Sequence, residues 1–121
     1  MSTSHESPVR EALRAALTAA MKSRDRAAVS VYRSALAAID NAGAQPVTDM
    51  PAAGAVEGAR LGVGAADAAR RELTEVQVRD IVVAEVAERR AASEEYAAAH
   101  TERAAALRQE AEILQAVLDE A

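Results

Sequence analysis

Leu73–Tyr96, LTEVQVRDIVVAEVAERRAASEEY, is the stretch that decides the fold. Thr74 and Gln77 have the spacing of a capping box: the threonine hydroxyl accepts from the N–H of Gln77, and the glutamine side chain reaches back to that of Thr74. Leu73 and Val78 bracket the pair as a hydrophobic staple, which sets how the chain enters a helix. At about 100° per residue, Val78, Ile81, Val82, Val86, Ala92 and Tyr96 fall on one face. Glu85 and Arg89 project from the middle of that same face. Spaced i and i+4 with the acid first, they are placed to pair along the helix. A charge turned toward a core is costly unless it is paired and hydrogen-bonded. The spacing therefore predicts a structural Glu85–Arg89 ion pair, with Arg33 of another helix as a candidate third member. The alternative is a polar site open to a partner.

Working outward, Ser7 is an N-cap candidate with Pro8 at the first helical position. The helix it opens runs to about Ser23, with Val9, Leu13, Ala16, Leu17 and Ala20 on one face and Lys22 opposite. Asp25 is placed to cap a second helix that buries Val29, Tyr32, Leu36 and Ile39 and ends near Gly43, a natural C′ residue. Only Ser23 and Arg24 separate the two, which predicts a tight antiparallel or angled pair. Beyond the central helix, AAAHT (97–101) marks a turn with Thr101 as candidate cap. A last helix follows to about Asp119, with Leu107, Ala111, Leu114 and Leu118 in register and Ile113 and Val117 beside them. These elements predict an all-α, four-helix bundle-like single domain over 1–121. A helical pair occupies 7–42 and a long αα-hairpin 71–121. Between them, 43–70 reads as a flexible loop, holding all five glycines and two of the three prolines. Residues 65–71 are a candidate helical turn within it, and 1–6 read as frayed.

Half of the 121 residues are hydrophobic, but 33 of these are alanine, so the core is thin and the helices approach closely. Phe and Trp are absent, and Tyr32 and Tyr96 are the only aromatics, which argues against a platform of stacked bases. Without cysteine there is no disulfide, thiolate nucleophile or Cys-based zinc site. The N-terminus MSTSHESPVR lacks the order of a signal peptide and no long apolar run occurs, so a cytoplasmic protein without a membrane partner is expected. The net charge of −5 hides an asymmetry. Residues 1–45 carry six basic and four acidic side chains, and residues 71–121 carry six and twelve. A nucleic-acid surface belongs to the first half if anywhere.

No catalytic constellation emerges. His5 and His100 stand alone, and Ser30, Ser34 and Ser93 lie on helices without a nucleophile elbow. The acids of the last third alternate with arginine as solvated faces do, and no pair of Glu-x2-His motifs marks a di-iron bundle. GVG at 62–64 follows no strand and precedes no GK[ST], so it is not a phosphate loop. No metal and no cofactor are expected. The basic residues Arg10, Arg14, Lys22, Arg24, Arg26 and Arg33 are the candidates for phosphate contact, against ordinary solubilising charge.

Leu13–Asp25 (L-x3-L-x2-AMKSRD), Val31–Ile39 (VYRSALAAI), Arg71–Val78 (RELTEVQV), the Glu85…Arg89-Arg90 register and Glu110–Leu118 (E-x2-IL-x2-VL) together resemble the GatB/YqeY family. Its members are similar to the tail region of the B subunit of the glutamine-dependent tRNA amidotransferase. The likeness spans nearly the whole chain except 43–70. It departs where the family often has Gly-Arg in place of His100-Thr101, and Tyr-Leu-Pro in place of Val117-Leu118-Asp119. It also suggests a short form lacking the family's second helical domain. The resemblance implies a non-catalytic accessory module that touches tRNA or a tRNA-handling protein through Lys22, Arg24, Arg26 and Arg33, with no DNA partner expected. A protein–protein adaptor or homo-oligomer on the alanine-rich faces is the second expectation. The third, by family label alone, is carbon–nitrogen ligase activity with glutamine as amido donor, for which no catalytic residue is assigned.

Overall fold

The computed structural model describes residues 7–44 and 72–121; the expected fray at 1–6, the loop beyond residue 44 and the candidate turn at 65–71 lie outside them. The described residues form four helices: α1 Pro8–Ser23, α2 Arg26–Ala44, α3 Glu75–Tyr96 and α4 Thr101–Glu120. The all-α, bundle-like architecture predicted from the periodicity is the one that forms. Contact is most extensive between α3 and α4, next between α1 and α2, and each helix of one pair also touches both helices of the other.

Local chemistry explains where the helices start. Ser7 Oγ accepts from the N–H of Arg10 at 3.0 Å, with Pro8 just inside α1. Asp25 Oδ1 accepts from Ala28 N–H at 3.1 Å and opens α2. Both halves of the α3 capping box are made: Gln77 N–H to Thr74 Oγ1 at 3.1 Å and Thr74 N–H to Gln77 Oε1 at 2.9 Å. At α4 the expectation is corrected. His100 occupies the N-cap position without a side-chain bond, and Thr101 is already the first helical residue.

The first turn of α3 also ties down its neighbours. Glu75 Oε2 accepts from the N–H of Val9 at 3.4 Å, placing a carboxylate at the positive end of α1. Arg79 donates to the Leu118 carbonyl at 2.9 Å, a cation on one of the last carbonyls of α4. One helix start thereby closes two helix ends.

Val9, Leu13, Val31, Ala35, Ile39, Val78, Val82, Val86, Ala111, Leu114, Val117 and Leu118 form the core. In α2 the buried stripe is Ala28, Val31, Ala35, Ile39 and Gly43, turned by about one residue from the predicted Val29–Tyr32–Leu36–Ile39. Small side chains at 28 and 35 let the helix come close, and Tyr32 and Leu36 pack along its edge half-buried. Gly43 is not the C′ residue expected. It lies inside α2, four residues past Ile39 and buried on the same stripe. In α3, Tyr96 is exposed where the period placed it inward, and Ser93 is buried instead, its hydroxyl donating to the carbonyl of Arg90 at 2.7 Å.

Candidate anion-binding groove

The turn between α1 and α2 is closed chiefly by backbone bonds, with Ser23 Oγ also donating to the Ala20 carbonyl at 3.2 Å. Arg24 N–H donates to the Met21 carbonyl at 3.2 Å and Asp25 N–H to the Ala20 carbonyl at 3.0 Å, a Schellman arrangement. Its left-handed position, usually glycine, is held by Arg24 at φ 60°, ψ 36°. This bend brings the end of α1 against the start of α2. Between them lies an open groove of about 700 Å³ lined by Met21, Arg24, Arg26, Val29, Ser30 and Arg33.

Three of the four sequence-predicted contact residues, Arg24, Arg26 and Arg33, thus share one surface. Lys22 does not line it; it is exposed on the last turn of α1. Arg10 and Arg14 lie elsewhere on α1. No acid lines the groove, because the nearby Asp25 points its carboxylate at the first turn of α2. Among the described residues no ion pair engages the three arginine head groups. Val29, expected in the core, reaches the groove because the α2 stripe is rotated, and Met21 stands 51% exposed beside it. Sequence periodicity could not find these two: it registers apolar residues without telling which face a close-packed alanine will claim.

Arg89 sits in the opposite situation. Its guanidinium donates to Glu85 Oε1 at 2.8 Å and to the Glu85 carbonyl at 3.1 Å. It also donates to Glu110 Oε1 at 3.2 Å and to Ser34 Oγ at 3.2 Å. The side chains of Arg89, Glu85 and Glu110 are 14%, 18% and 26% exposed. Arg33, the candidate third member, is not part of this cluster; Glu110 and Ser34 take that place. Glu110 had a signal in the sequence, since it falls three residues after Leu107 and four before Leu114, on an apolar stripe. The four side chains tie α2, α3 and α4 together and leave no free nucleophile or base.

The remaining polar features are smaller. A cleft of about 360 Å³ on the α3–α4 hairpin is lined by Arg90, Ser93, Glu94, Ala97, Arg108 and Glu112, with charges of both signs. At the hairpin turn His100 packs edge-on to Tyr96, centroids 5.7 Å apart, and the Arg103 guanidinium lies 5.9 Å from the same ring. His100 has no acid–base partner there. Burial, then the charges of Asp25 and Glu120, push the Tyr32 hydroxyl above its ordinary pKa. No group of three His, Cys, Asp or Glu among the described residues is placed to hold a metal, and no described helix is long and apolar enough to cross a membrane.

Fold and site together define a class: an all-α bundle of two helical pairs, with a charge network inside and an arginine-lined groove outside. No family model, curated protein or solved structure matches the chain.

Proposed function

We propose that this chain is a non-catalytic helical module that engages tRNA, or a tRNA-handling protein, through the groove at the α1–α2 turn. The observation that carries the proposal is the convergence of Arg24, Arg26 and Arg33 on one open surface with no acid among its lining. Guanidinium groups suit phosphate because their fork of donors matches its oxygens, and such contacts need no sequence code. The resemblance to the amidotransferase tail supplies the choice of tRNA. An accessory role also accords with charged side chains that hold helices together and compose no nucleophile–base pair.

Filter binding of bulk tRNA across a salt series tests it. Three phosphate contacts give a log–log slope of about −2 to −3, with affinity in the non-specific range of roughly 10⁻⁴ to 10⁻⁶ M. Replacing Arg24, Arg26 and Arg33 by Gln is expected to abolish both binding and slope. Absence of binding by the unaltered chain at low salt would remove tRNA as a direct ligand. A second reading, an adaptor or homo-oligomer without nucleic acid, has one observation in its favour. Val76 and Val83 are exposed large apolar residues seven positions apart on α3. Light scattering decides it: the mass would rise with concentration if these valines mediate self-association.

A further inference from the structure

Long duplex-binding surfaces spread their cations along a track, since duplex phosphates recur at regular intervals and the bases are hidden between them. Here the three arginines instead surround a single recess, and the recess has apolar residues in it. Met21, half exposed at the end of α1, and Val29, left out of the core by the rotation of α2, line the groove with Arg24, Arg26 and Arg33. Ser30 adds a hydroxyl that can donate or accept. An anion alone would gain nothing from a thioether and an isopropyl group beside it. A ligand with an anionic part and an apolar face joined at short range would use both.

We infer that the groove takes one unpaired nucleotide, its phosphate on Arg24, Arg26 and Arg33 and its base or sugar face against Met21 and Val29. The inference rests on the RNA-binding proposal above and narrows it to single-stranded segments. Size agrees: the opening of about 700 Å³ accommodates a nucleotide and its flanking phosphate but is not an extended channel. Charge complementarity selects an anion, because no carboxylate lines the recess. The shortage of aromatic residues is met by two other surfaces for a base, the Met21 thioether and the flat face of a guanidinium. Arg24 is fitted to this use. As the C′ residue of the α1 cap it stands just past the helix, and its side chain lines the groove. A free mononucleotide and an unpaired nucleotide within RNA present the same chemistry, so the two sources have to be separated by measurement.

The full chain is titrated by fluorescence anisotropy at low salt with a labelled single-stranded RNA of eight or so nucleotides and with a duplex of the same length; unlabelled AMP and a polyglutamate peptide serve as competitors. The expected result is single-strand binding about fivefold tighter than duplex binding, a fold-change within the range of a thioether packed against an aromatic ring. Met21→Ser, a change at an exposed side chain that keeps the charge, is expected to bring single-strand binding down to the level of duplex binding. Arg33→Gln is expected to weaken both. AMP that displaces the single strand at concentrations near its own binding constant assigns the site to a nucleotide unit; AMP without effect while the oligonucleotide binds assigns it to nucleotides within RNA. Duplex binding as tight as single-strand binding, or a preference that survives Met21→Ser, overturns the inference and leaves the broader RNA reading standing. Displacement by polyglutamate as efficient as by RNA at equal charge overturns it in favour of an acidic protein segment. If neither RNA form binds, the RNA reading itself fails and the inference with it.

Discussion

Arg89 and Arg33 carry the same side chain on neighbouring helices, and their surroundings have nothing else in common. Arg89 is 14% exposed and donates to two carboxylates, a backbone carbonyl and a serine hydroxyl across three helices. Arg33 is exposed, lines an open groove with two other arginines and is engaged by no ion pair among the described residues. The first arrangement uses charge to specify how helices meet. The second gathers three exposed guanidinium groups on one surface at a helix turn, where an anion meets them together.

The comparison breaks first at Arg89. Arg89→Met strands Glu85 and Glu110 together, and the expected loss is about 3 kcal/mol, the lower end for breaking a buried pair because all three side chains keep an edge to water. Chemical denaturation measures it. The triple change Arg89→Met, Glu85→Leu, Glu110→Met is expected to recover most of that loss, since removing a whole buried ion cluster is often neutral. The corresponding change in the groove, Arg33→Gln, is expected to alter stability by less than about 0.5 kcal/mol. Equal effects at the two sites would erase the distinction.

How a helix is started gives a smaller effect. Thr74→Ala removes one half of the reciprocal box that opens α3, and a loss of about 1 kcal/mol is expected. Because that same turn carries Glu75 and Arg79 to the ends of α1 and α4, hydrogen exchange should speed up at those ends as well as at residues 75–78. Exchange that changes only within α3 would mean the two tethers are slack.

These features differ in how plainly the chain announced them. The box at Thr74–Gln77, the cap at Ser7 and the Glu85–Arg89 spacing are local, so pattern and structure coincide there. What local pattern could not supply was the rotation of α2. Whether Val29 or Ala28 faces inward depends on how closely α2 approaches its neighbours, a matter of summed packing over several helices. With Val29 assigned to the core, Arg24, Arg26 and Arg33 stand as candidate phosphate contacts without the recess that they share with Met21 and Val29. Glu110 is hidden for a related reason, since the apolar members of the α4 stripe do not by themselves mark a charge among them. Threonine is the better capping residue by type, yet α4 begins one residue earlier than that preference implies, with His100 at the cap.

Arg24 tests the groove from the side of stability. An arginine at φ 60° is strained relative to glycine, so Arg24→Gly is expected to stabilise the fold by about 0.5 kcal/mol, after allowing for the greater freedom of glycine in the unfolded chain. The same change is expected to weaken RNA binding. Opposite signs in the two measurements are what a strained residue kept for ligand contact produces. Destabilisation by Arg24→Gly would instead make the guanidinium a packing element, and the groove would lose its most distinctive member.

Tyr32 joins the two regions, because its hydroxyl is raised by burial first, then by Asp25 of the α1–α2 turn, then by Glu120 at the end of α4. In the unfolded chain the phenol loses its proton near pH 10, whereas in the folded chain it keeps it to higher pH. The stability this contributes is therefore complete below about pH 10 and is lost as the pH climbs through the raised folded value. Tyr32→Phe should remove this alkaline component and leave neutral-pH stability nearly unchanged. In a Tyr96→Phe background Tyr32 is the only tyrosine, so tyrosinate absorbance reports it alone. Asp25→Asn keeps a competent cap for α2 and should move the titration down toward pH 10, and Glu120→Gln should move it less. If Glu120→Gln has no effect while Asp25→Asn does, the end of α4 lies too far from α2 in solution to be felt.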